Sequence, residues 1–337
     1  MPISMSSSLK RKARLCAVIL FLLLLAAGAA SMCLGASGLS PRELLEAVRE
    51  GVDSPAARIL LYIRLPRTLA ALLSGAALAV SGVILQGVLL NPLASPNIVG
   101  VNAGAGFAAL LFACFFPGAA GLLPVAAFLG ALAASLLILL LAGRMGASRL
   151  TVVLAGVAVN AILSAGTDLV TTLEPEATLG MSAFMVGGFS GVSATRVYTA
   201  AAYILPALLL ALLTADRLDV LGLGDEVAQS VGLRVRRTRV GQLVLASVLA
   251  GAAISFSGLL GFVGLIVPHA LRRLVGGENR TLLPLSMLGG ALFVLVCDTI
   301  ARTAFAPYEV PVGILLALLG GPFFLWLLLC QRKGGRG

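Results

Sequence analysis

The sequence predicts an all-α polytopic membrane protein with about ten transmembrane helices in two five-helix inverted repeats. Three observations support this fold class. The 337-residue chain is 59% hydrophobic and only 11% charged, apolar runs recur from end to end, and two stretches match each other. Runs of about 20 residues can cross the hydrocarbon core as helices, and they lack the alternation of a transmembrane barrel.

Ten apolar segments are predicted to cross the membrane, with approximate bounds. They cover residues 14–34, 63–89, 97–116, 120–142, 150–172, 196–215, 239–258, 260–275, 281–304 and 311–331. A helix of fifteen residues, the length of Gly258–Arg272, spans only about 22 Å, so the eighth segment is expected to be short or broken. No linker divides the chain, so residues 1–337 are predicted to form a single transmembrane domain.

The internal repeat is visible as matches at a constant separation along the chain. Gly75, Ser81, Pro92 and Gly100 correspond to Gly251, Ser257, Pro268 and Gly276. Each half would contain five helices. Because five is odd, the second half would enter the membrane from the opposite side, which is a common construction in transporters.

The distribution of charge predicts the orientation in the membrane. With the N-terminus inside, most of the 24 lysines and arginines fall in cytoplasmic segments, while the outer loops carry no net charge. The net charge of +10 is therefore the positive-inside signature and does not indicate a nucleic-acid partner. Both termini are expected to be cytoplasmic. The basic residues at 10–14 and the following apolar run are expected to form an uncleaved first helix.

One outer loop is predicted to contain a helix lying on the membrane surface. Ser40-Pro41-Arg42-Glu43 has a capping-box pattern with proline at the first helical position, and Gly51 can end the helix.

Several kinds of chemistry are excluded or disfavoured by composition. The chain has one histidine, His269, and a zinc site needs three or four ligands. The three lysines, Lys10, Lys12 and Lys333, lie outside any P-loop pattern, and no G-x-S-x-G motif occurs. A non-catalytic chain that binds no cofactor or metal of its own is therefore expected.

The fifth segment carries a polar stripe. Its candidate residues for a translocation path are Asn160, Ser164, Thr167, Asp168 and Thr171. At 100° per residue most of them share one face of a helix, which could line an aqueous path or form hydrogen bonds to neighbouring helices. Asp298, in the ninth segment, is expected to pair with Arg302 one turn later.

Longer motifs resemble a known family. Arg64-Leu-Pro-Arg67 precedes GAALAVSGVILQGVLLNPLASPNIVGVNAGAG, and GLLGFVGLIVPHALRRLVG and YEVPVGILLALLGGPFFLWLLL follow later. From about residue 15 to the C-terminus the chain resembles FecCD-type permeases, the membrane subunits of ABC importers for iron-siderophores, haem and cobalamin. The resemblance implies a metal-chelate permease, with an iron-siderophore as the first expectation.

The resemblance also implies partners and a location. It implies a homodimer, or a heterodimer with a close relative, in the inner membrane of a bacterium or archaeon. Two cytoplasmic ATPase subunits would use ATP-Mg, and an extracytoplasmic binding protein would deliver the substrate. An ATP-independent secondary transporter that uses Asp168 or Asp298 is the alternative of a different class.

Functional positions of the family fall on three parts of this sequence. The cytoplasmic loop at residues 216–239 would dock in the ATPase through Leu221, Gly224, Asp225, Glu226, Val227, Ala228, Val231 and Gly232, although a solvated loop anchored by arginines is the plainer interpretation. The cytoplasmic gate would comprise Asn91, Pro92, Leu93, Ala147 and Ser148. Arg64, Arg67 and Arg302 would bind acidic residues of the binding protein, or be neutralised locally by outer-loop acids and Asp298.

Overall fold

The computed structural model describes residues 7–35, 54–144 and 149–334, and helices account for most of this part of the chain. They are α1 (Ser7–Cys33), α2 (Leu65–Leu89), α3 (Val101–Phe115), α4 (Leu123–Arg144), α5 (Arg149–Leu173), α6 (Pro175–Val186), α7 (Ala194–Leu213), α8 (Ala215–Gly222), α9 (Asp225–Ser230), α10 (Val235–Ser257), α11 (Val263–Val275), α12 (Asn279–Thr303) and α13 (Val312–Gly334). A short helix, Pro55–Ile59, and a π-helical turn, Leu60–Arg64, lead into α2. Turns of 3₁₀-helix, Pro96–Val99 and Pro117–Leu122, precede α3 and α4. The surface helix expected around residues 40–51 lies outside the described residues.

The described part of the chain contains 7 helices that are long and apolar enough to cross a membrane. They correspond to α1, α2, α4, α5, α7, α10 and α12, and the spans at α7, α10 and α12 have the same bounds as those helices. Helices α3 and α13 include shorter apolar helices. Each of the ten predicted segments overlaps one of α1–α5, α7 and α10–α13. The eighth contains the 13-residue α11, which begins only after a non-helical stretch at residues 258–262. Helix α6 falls between predicted segments and was not expected.

Helix α2 is the centre of the bundle. Of its most apolar 18-residue window 83% is buried, against 6% for α1 and 17% for α5, so the latter two lie at the periphery of the protomer. Close approach of α2 to its neighbours depends on glycine. A Cβ at Gly75 would overlap the Gly290 carbonyl of α12, and a Cβ at Gly82 would overlap Gly264 of α11. Small residues at helix crossings are the usual way to pack membrane helices.

The two stretches that match in sequence occupy comparable places. Gly75 lies in α2 and Gly251 lies in α10, and these helices have the two most buried membrane windows in the described residues, at 83% and 78%. The correspondence weakens further along the chain. Gly258 ends α10 with a φ of 72°, whereas its counterpart Gly82 lies within α2.

Candidate functional sites

Helices α8 and α9 form the polar segment between the membrane helices α7 and α10. Gly224, with a φ of 100°, separates the two short helices, and Gly232, with a φ of 84°, follows α9. Both angles are in the left-handed region that favours glycine. Asp225 and Glu226 occupy the first turn of α9, where the helix dipole favours negative charge. The sequence therefore forms two short helices joined by a sharp turn.

Side-chain bonds fix α8 and α9 to the membrane helices. One guanidinium nitrogen of Arg239, in α10, donates to both carboxylate oxygens of Asp225 at 2.7 and 2.8 Å. Asp219, in α8, accepts from the backbone nitrogen and the side-chain amide of Asn279 at 2.8 and 2.7 Å. The bond from the backbone nitrogen supplies an acceptor for an otherwise unsatisfied N–H group at the start of α12. The positions of α8 and α9 are thereby fixed relative to α10 and α12.

Two carboxylates of α8 have perturbed pKa values in opposite directions. The hydrogen bond from Arg280 lowers the pKa of Asp216, because it stabilises the ionised form. Burial raises the pKa of Asp219, and the hydrogen bonds from Asn279 oppose this effect only in part. The two acids of one short helix therefore differ in environment, one at the surface and one beneath it.

The apolar surface of α8 and α9 differs from the predicted one. Leu221 is 2% exposed and Ala228 is fully buried, so both side chains pack into the apolar core. Leu223, Val227 and Val231 are 53%, 47% and 64% exposed. This corrects the predicted docking surface. The apolar side chains of the segment that are exposed are Leu223, Val227 and Val231.

The arginines near the start of α2 and the end of α12 are buried. Arg64, Arg67 and Arg302 are 3%, 8% and 2% exposed. Arg64 donates to the backbone carbonyl of Cys33 at 2.7 Å, and Arg302 donates to the hydroxyl of Ser31 at 2.8 Å. Each of the three is engaged within the protomer, and docking of a binding protein at these positions stays a prediction.

Arg67 joins two carboxylates of different exposure. Its Nε and Nη2 atoms donate to the buried Asp298 at 3.0 Å, and its Nη1 atom donates to Glu309 at 2.7 Å. The Glu309 side chain is 36% exposed, against 1% for Asp298. Asp298 thus pairs mainly with Arg67, because the predicted partner, Arg302, lies 3.9 Å away. The outer-loop acids Glu43, Glu46, Glu50 and Asp53, proposed as alternative partners, lie outside the described residues.

The predicted gate is described only on one side. Helix α2 ends at Leu89, and Leu90, which follows it, has a left-handed φ of 46°. The side chain of Asn91 then accepts a hydrogen bond from the Leu93 nitrogen at 2.9 Å and forms a tight turn with Pro92. Ala147 and Ser148, the other predicted gate residues, lie outside the described residues. A gate at these positions stays a prediction.

Most of the polar stripe on α5 lines one cavity. A cavity of about 350 Å³ is bounded by Asn160, Ser164, Thr167 and Asp168, together with Asn97, Asn102, Ala103, Gly106, Met185 and Leu259. Thr171 is half-buried and does not line this cavity. Asn97 and Asn102 were not predicted, because they lie in the short turn Pro96–Val99 and at the start of α3, far from α5 in the sequence.

Unsatisfied amide oxygens make this cavity polar. Asn160 donates to the Asn97 carbonyl at 2.7 Å. The Oδ1 atoms of Asn160 and Asn102 are buried without a hydrogen-bond partner in the described part of the protein. Such atoms are costly to bury dry, so water or a polar ligand is expected beside them.

A match to the model of a known protein family identifies the fold, and the matched residues include most of these sites. The model of the FecCD transport family matches residues 22–330. The chain belongs to the FecCD transport family. Among FecCD relatives, it is 40% identical over 326 residues to the hemin transport system permease protein HmuU of Yersinia pestis, covering 95% of this chain and 96% of the relative. It is 40% identical to the achromobactin transport system permease protein CbrC of Dickeya dadantii, over 92% of this chain and 90% of the relative.

A third relative and a solved structure agree with this assignment. The chain is 37% identical to the Fe(3+) dicitrate transport system permease protein FecD of Escherichia coli, covering 94% of this chain and 99% of the relative. The solved inward-facing structure of a metal-chelate type ABC transporter superposes with a TM-score of 0.84 and 31% identity, covering 93% of this chain and 98% of that chain. This FecCD chain is therefore a multi-pass membrane permease of the ABC transporter type.

Proposed function

We propose that this chain is the membrane-spanning subunit of an ATP-driven importer that carries a metal chelate into the cytoplasm. The observation that carries this proposal is the family match over residues 22–330. Relatives at 40% identity are named for hemin and for achromobactin, and another for Fe(3+) dicitrate. Hemin and Fe(3+) dicitrate are both iron(III) held by an organic ligand. An iron-siderophore is the first substrate to test, with haem and cobalamin as alternatives.

The ATPase partner is assigned to the exposed surface of α8 and α9. Leu223, Val227 and Val231 present apolar groups away from the membrane helices, where water would otherwise cover them. An ATPase subunit that buries them is held to α10 and α12 through the Asp225–Arg239 and Asp219–Asn279 contacts. ATP-Mg is used by that subunit, and this chain supplies no catalytic group or cofactor.

The translocation path is assigned to the cavity on α5. Its exposed polar side chains, Ser164 and Asp168, stand on a helix whose apolar window is only 17% buried within the protomer. A second permease copy facing α5 would cover that helix and enclose the polar stripe. The path would then lie between the two copies, with the Asn91-Pro92-Leu93 turn and the 147–148 segment at its cytoplasmic end.

Docking of an extracytoplasmic binding protein is assigned to the outer end of the protomer. Arg67 is the arginine best placed for it, because its partner Glu309 is partly exposed. An incoming carboxylate could take the place of Glu309, whereas Arg64 and Arg302 are bonded to buried backbone and hydroxyl oxygens. In this orientation α8 and α9, and both termini, face the cytoplasm.

Reconstitution tests this assignment directly. The chain is placed in proteoliposomes with its ATPase subunit and binding protein, and uptake of radio-iron siderophore, haem and labelled cobalamin is measured with ATP or with a non-hydrolysable analogue. Uptake that requires ATP hydrolysis and the binding protein is expected. Uptake that a proton gradient drives without the ATPase would instead establish the secondary transporter.

A further inference from the structure

A groove of about 840 Å³ opens where α4 ends and where α5 and α10 begin. It is separate from the polar cavity on α5 and from the exposed apolar surface of α9. One end of the groove is apolar, and the other end is charged. Its apolar wall is formed by Leu136, Leu139, Leu140, Leu150, Val152, Val240 and Leu243, and its charged end by Arg144, Arg236, Arg239 and Asp225.

The apolar wall extends along the membrane-crossing parts of the helices. Leu136 precedes Arg144 by about 12 Å along α4, and Leu243 follows Arg236 by about 10 Å along α10. Leu136, Leu140 and Val240 are exposed at 45%, 67% and 42%. A water-soluble ATPase subunit would not reach this depth. Hydrocarbon chains are the partner that matches an apolar wall inside the bilayer.

The charged end carries two arginines without an acidic partner in the described part of the chain. Arg144 and Arg236 are exposed, and neither forms an ion pair there. Arg239, which also lines the groove, is already bonded to Asp225. The Arg236 guanidinium lies beside the end of α4. A Cβ atom added to Gly143 would be 3.9 Å from the Nη2 atom of Arg236. Both arginines therefore lie at the ends of membrane-crossing helices, where lipid headgroups are expected.

We propose that this groove binds an anionic phospholipid from the leaflet on the side of α8 and α9. The phosphate is held by Arg144 and Arg236, and the acyl chains lie along the leucines of α4 and the start of α10. Basic pockets between membrane helices are the known setting for such headgroups. Arginine suits the phosphate because its planar fork donates two hydrogen bonds.

The lipid would lie directly beside the segment assigned to the ATPase. Asp225 and Gln229 of α9 line the same groove. A phosphate at Arg236 would be close to the Asp225–Arg239 contact that holds α9 to α10. The lipid therefore stabilises the position of α9. Only this last step, the effect on the segment assigned to the ATPase, rests on the proposed function. Binding itself can be measured on the isolated permease.

Native mass spectrometry of the delipidated, full-length chain tests the site. Phosphatidylglycerol and phosphatidylcholine with the same acyl chains are added to wild type, to Arg144→Gln/Arg236→Gln and to Arg11→Gln/Arg14→Gln. The control removes the same charge from the N-terminal end of α1, away from the groove. Wild type and control should retain phosphatidylglycerol over phosphatidylcholine. The groove variant should lose about thirtyfold in affinity, since each arginine near an anionic surface contributes about fivefold.

Position and source are tested with two further measurements. A phosphatidylglycerol that carries a photoreactive group in its acyl chain should label peptides containing Leu136–Leu140 and Val240–Leu243, and Leu140→Trp should suppress that labelling. Inorganic phosphate at equal concentration should not displace the lipid. The proposal would be overturned by equal lipid retention in the groove variant and the control, or by labelling elsewhere in the chain. Displacement of the lipid by phosphate alone, or a variant that loses the dimer and not the lipid, would also overturn it.

Discussion

Arg67 shows how one side chain can serve both stability and recognition. Its guanidinium binds the buried Asp298 on one side and the partly exposed Glu309 on the other. A buried charge left without its partner is costly, whereas a charge at the rim can be exchanged. The two carboxylates should therefore respond differently to substitution.

Loss of Asp298 should destabilise the fold. Asp298→Ala leaves Arg67 buried without its bidentate acceptor, which costs about 3–5 kcal/mol. The measurement is the thermal midpoint of the purified protein in detergent, compared with Glu309→Gln. Glu309→Gln should shift the midpoint much less, because its side chain is in contact with solvent. Equal shifts for the two variants would show that Asp298 is not the structural partner.

Loss of the Glu309 charge should strengthen docking of the binding protein. Glu309→Gln leaves one side of the Arg67 fork available to an incoming carboxylate, so affinity should rise about fivefold to tenfold at low salt. Surface plasmon resonance on nanodiscs measures it, with Asp168→Asn on the path as a control that removes an acid elsewhere. Unchanged or weaker binding by Glu309→Gln would remove Arg67 from the docking surface.

At the scale of elements, the segment α8–α9 combines an inward and an outward face. Leu218, Leu221 and Ala228 are buried, while Leu223, Val227 and Val231 are exposed. The sequence predicted this segment, because charges and glycines interrupt an apolar chain. It placed Val227 and Val231 on one face through their spacing of four residues. It did not predict the burial of Leu221 and Ala228, because α8 and α9 are too short to show a clear period.

Charge on the outward face should uncouple the ATPase. Val227→Asp/Val231→Asp would place two carboxylates in the contact, and burial of an unpaired charge costs several kcal/mol. Transport and ATPase binding should fall by at least about a hundredfold, since 1.4 kcal/mol corresponds to a factor of ten. The near-isosteric Val227→Thr/Val231→Thr is the control and should retain most activity. Normal transport by the aspartate variant would refute this contact.

Asp219 should hold α8 to α12 as a hydrogen-bond acceptor. Asp219→Ala leaves the buried Asn279 groups without an acceptor and should cost about 1–3 kcal/mol, while Asp219→Asn keeps an acceptor oxygen. The pKa of Asp219 is raised in the folded state. The stability that this shift contributes to the fold is therefore fully present below the pKa of Asp219 in the unfolded chain, and it is lost as the pH rises through the pKa in the folded protein. The stability of wild type relative to Asp219→Asn should therefore fall as pH rises, measured by thermal unfolding between acid and neutral pH. The opposite slope would exclude a raised pKa.

For the whole molecule, the apolar runs were sufficient to predict the membrane helices, because length and composition alone determine whether a helix can span the bilayer. They also indicated the short eighth segment. The buried contacts of Arg67 could not be predicted, because Asp298 and Glu309 are both distant from Arg67 in the sequence. Only the packing of α12 against α2 brings them close to Arg67. Similarly, Asn160 was visible as part of a periodic stripe on one helix, but its contact with Asn97 was not.

The polar cavity on α5 is where the two classes of transporter differ. In an ATP-driven importer Asp168 is one polar group among several in a wide path, so Asp168→Asn should keep ATP-dependent uptake within about twofold, as is usual for a surface substitution. Filling the path should matter much more. Ser164→Trp adds a large side chain to a cavity of about 350 Å³, and uptake should fall by more than about tenfold, because overpacking also displaces neighbouring groups.

The ATPase activity separates a blocked path from a lost coupling. Ser164→Trp should leave stimulation of the ATPase by the binding protein largely intact, since Ser164 is far along the chain from α8 and α9, and Ser164→Ala is the matched control for the lost hydroxyl. Uptake in proteoliposomes and ATP hydrolysis are measured on the same preparations. If Asp168→Asn abolishes uptake while stimulated hydrolysis persists, the acid moves a proton with the substrate, because an ionisable group in the membrane is then required for transport itself.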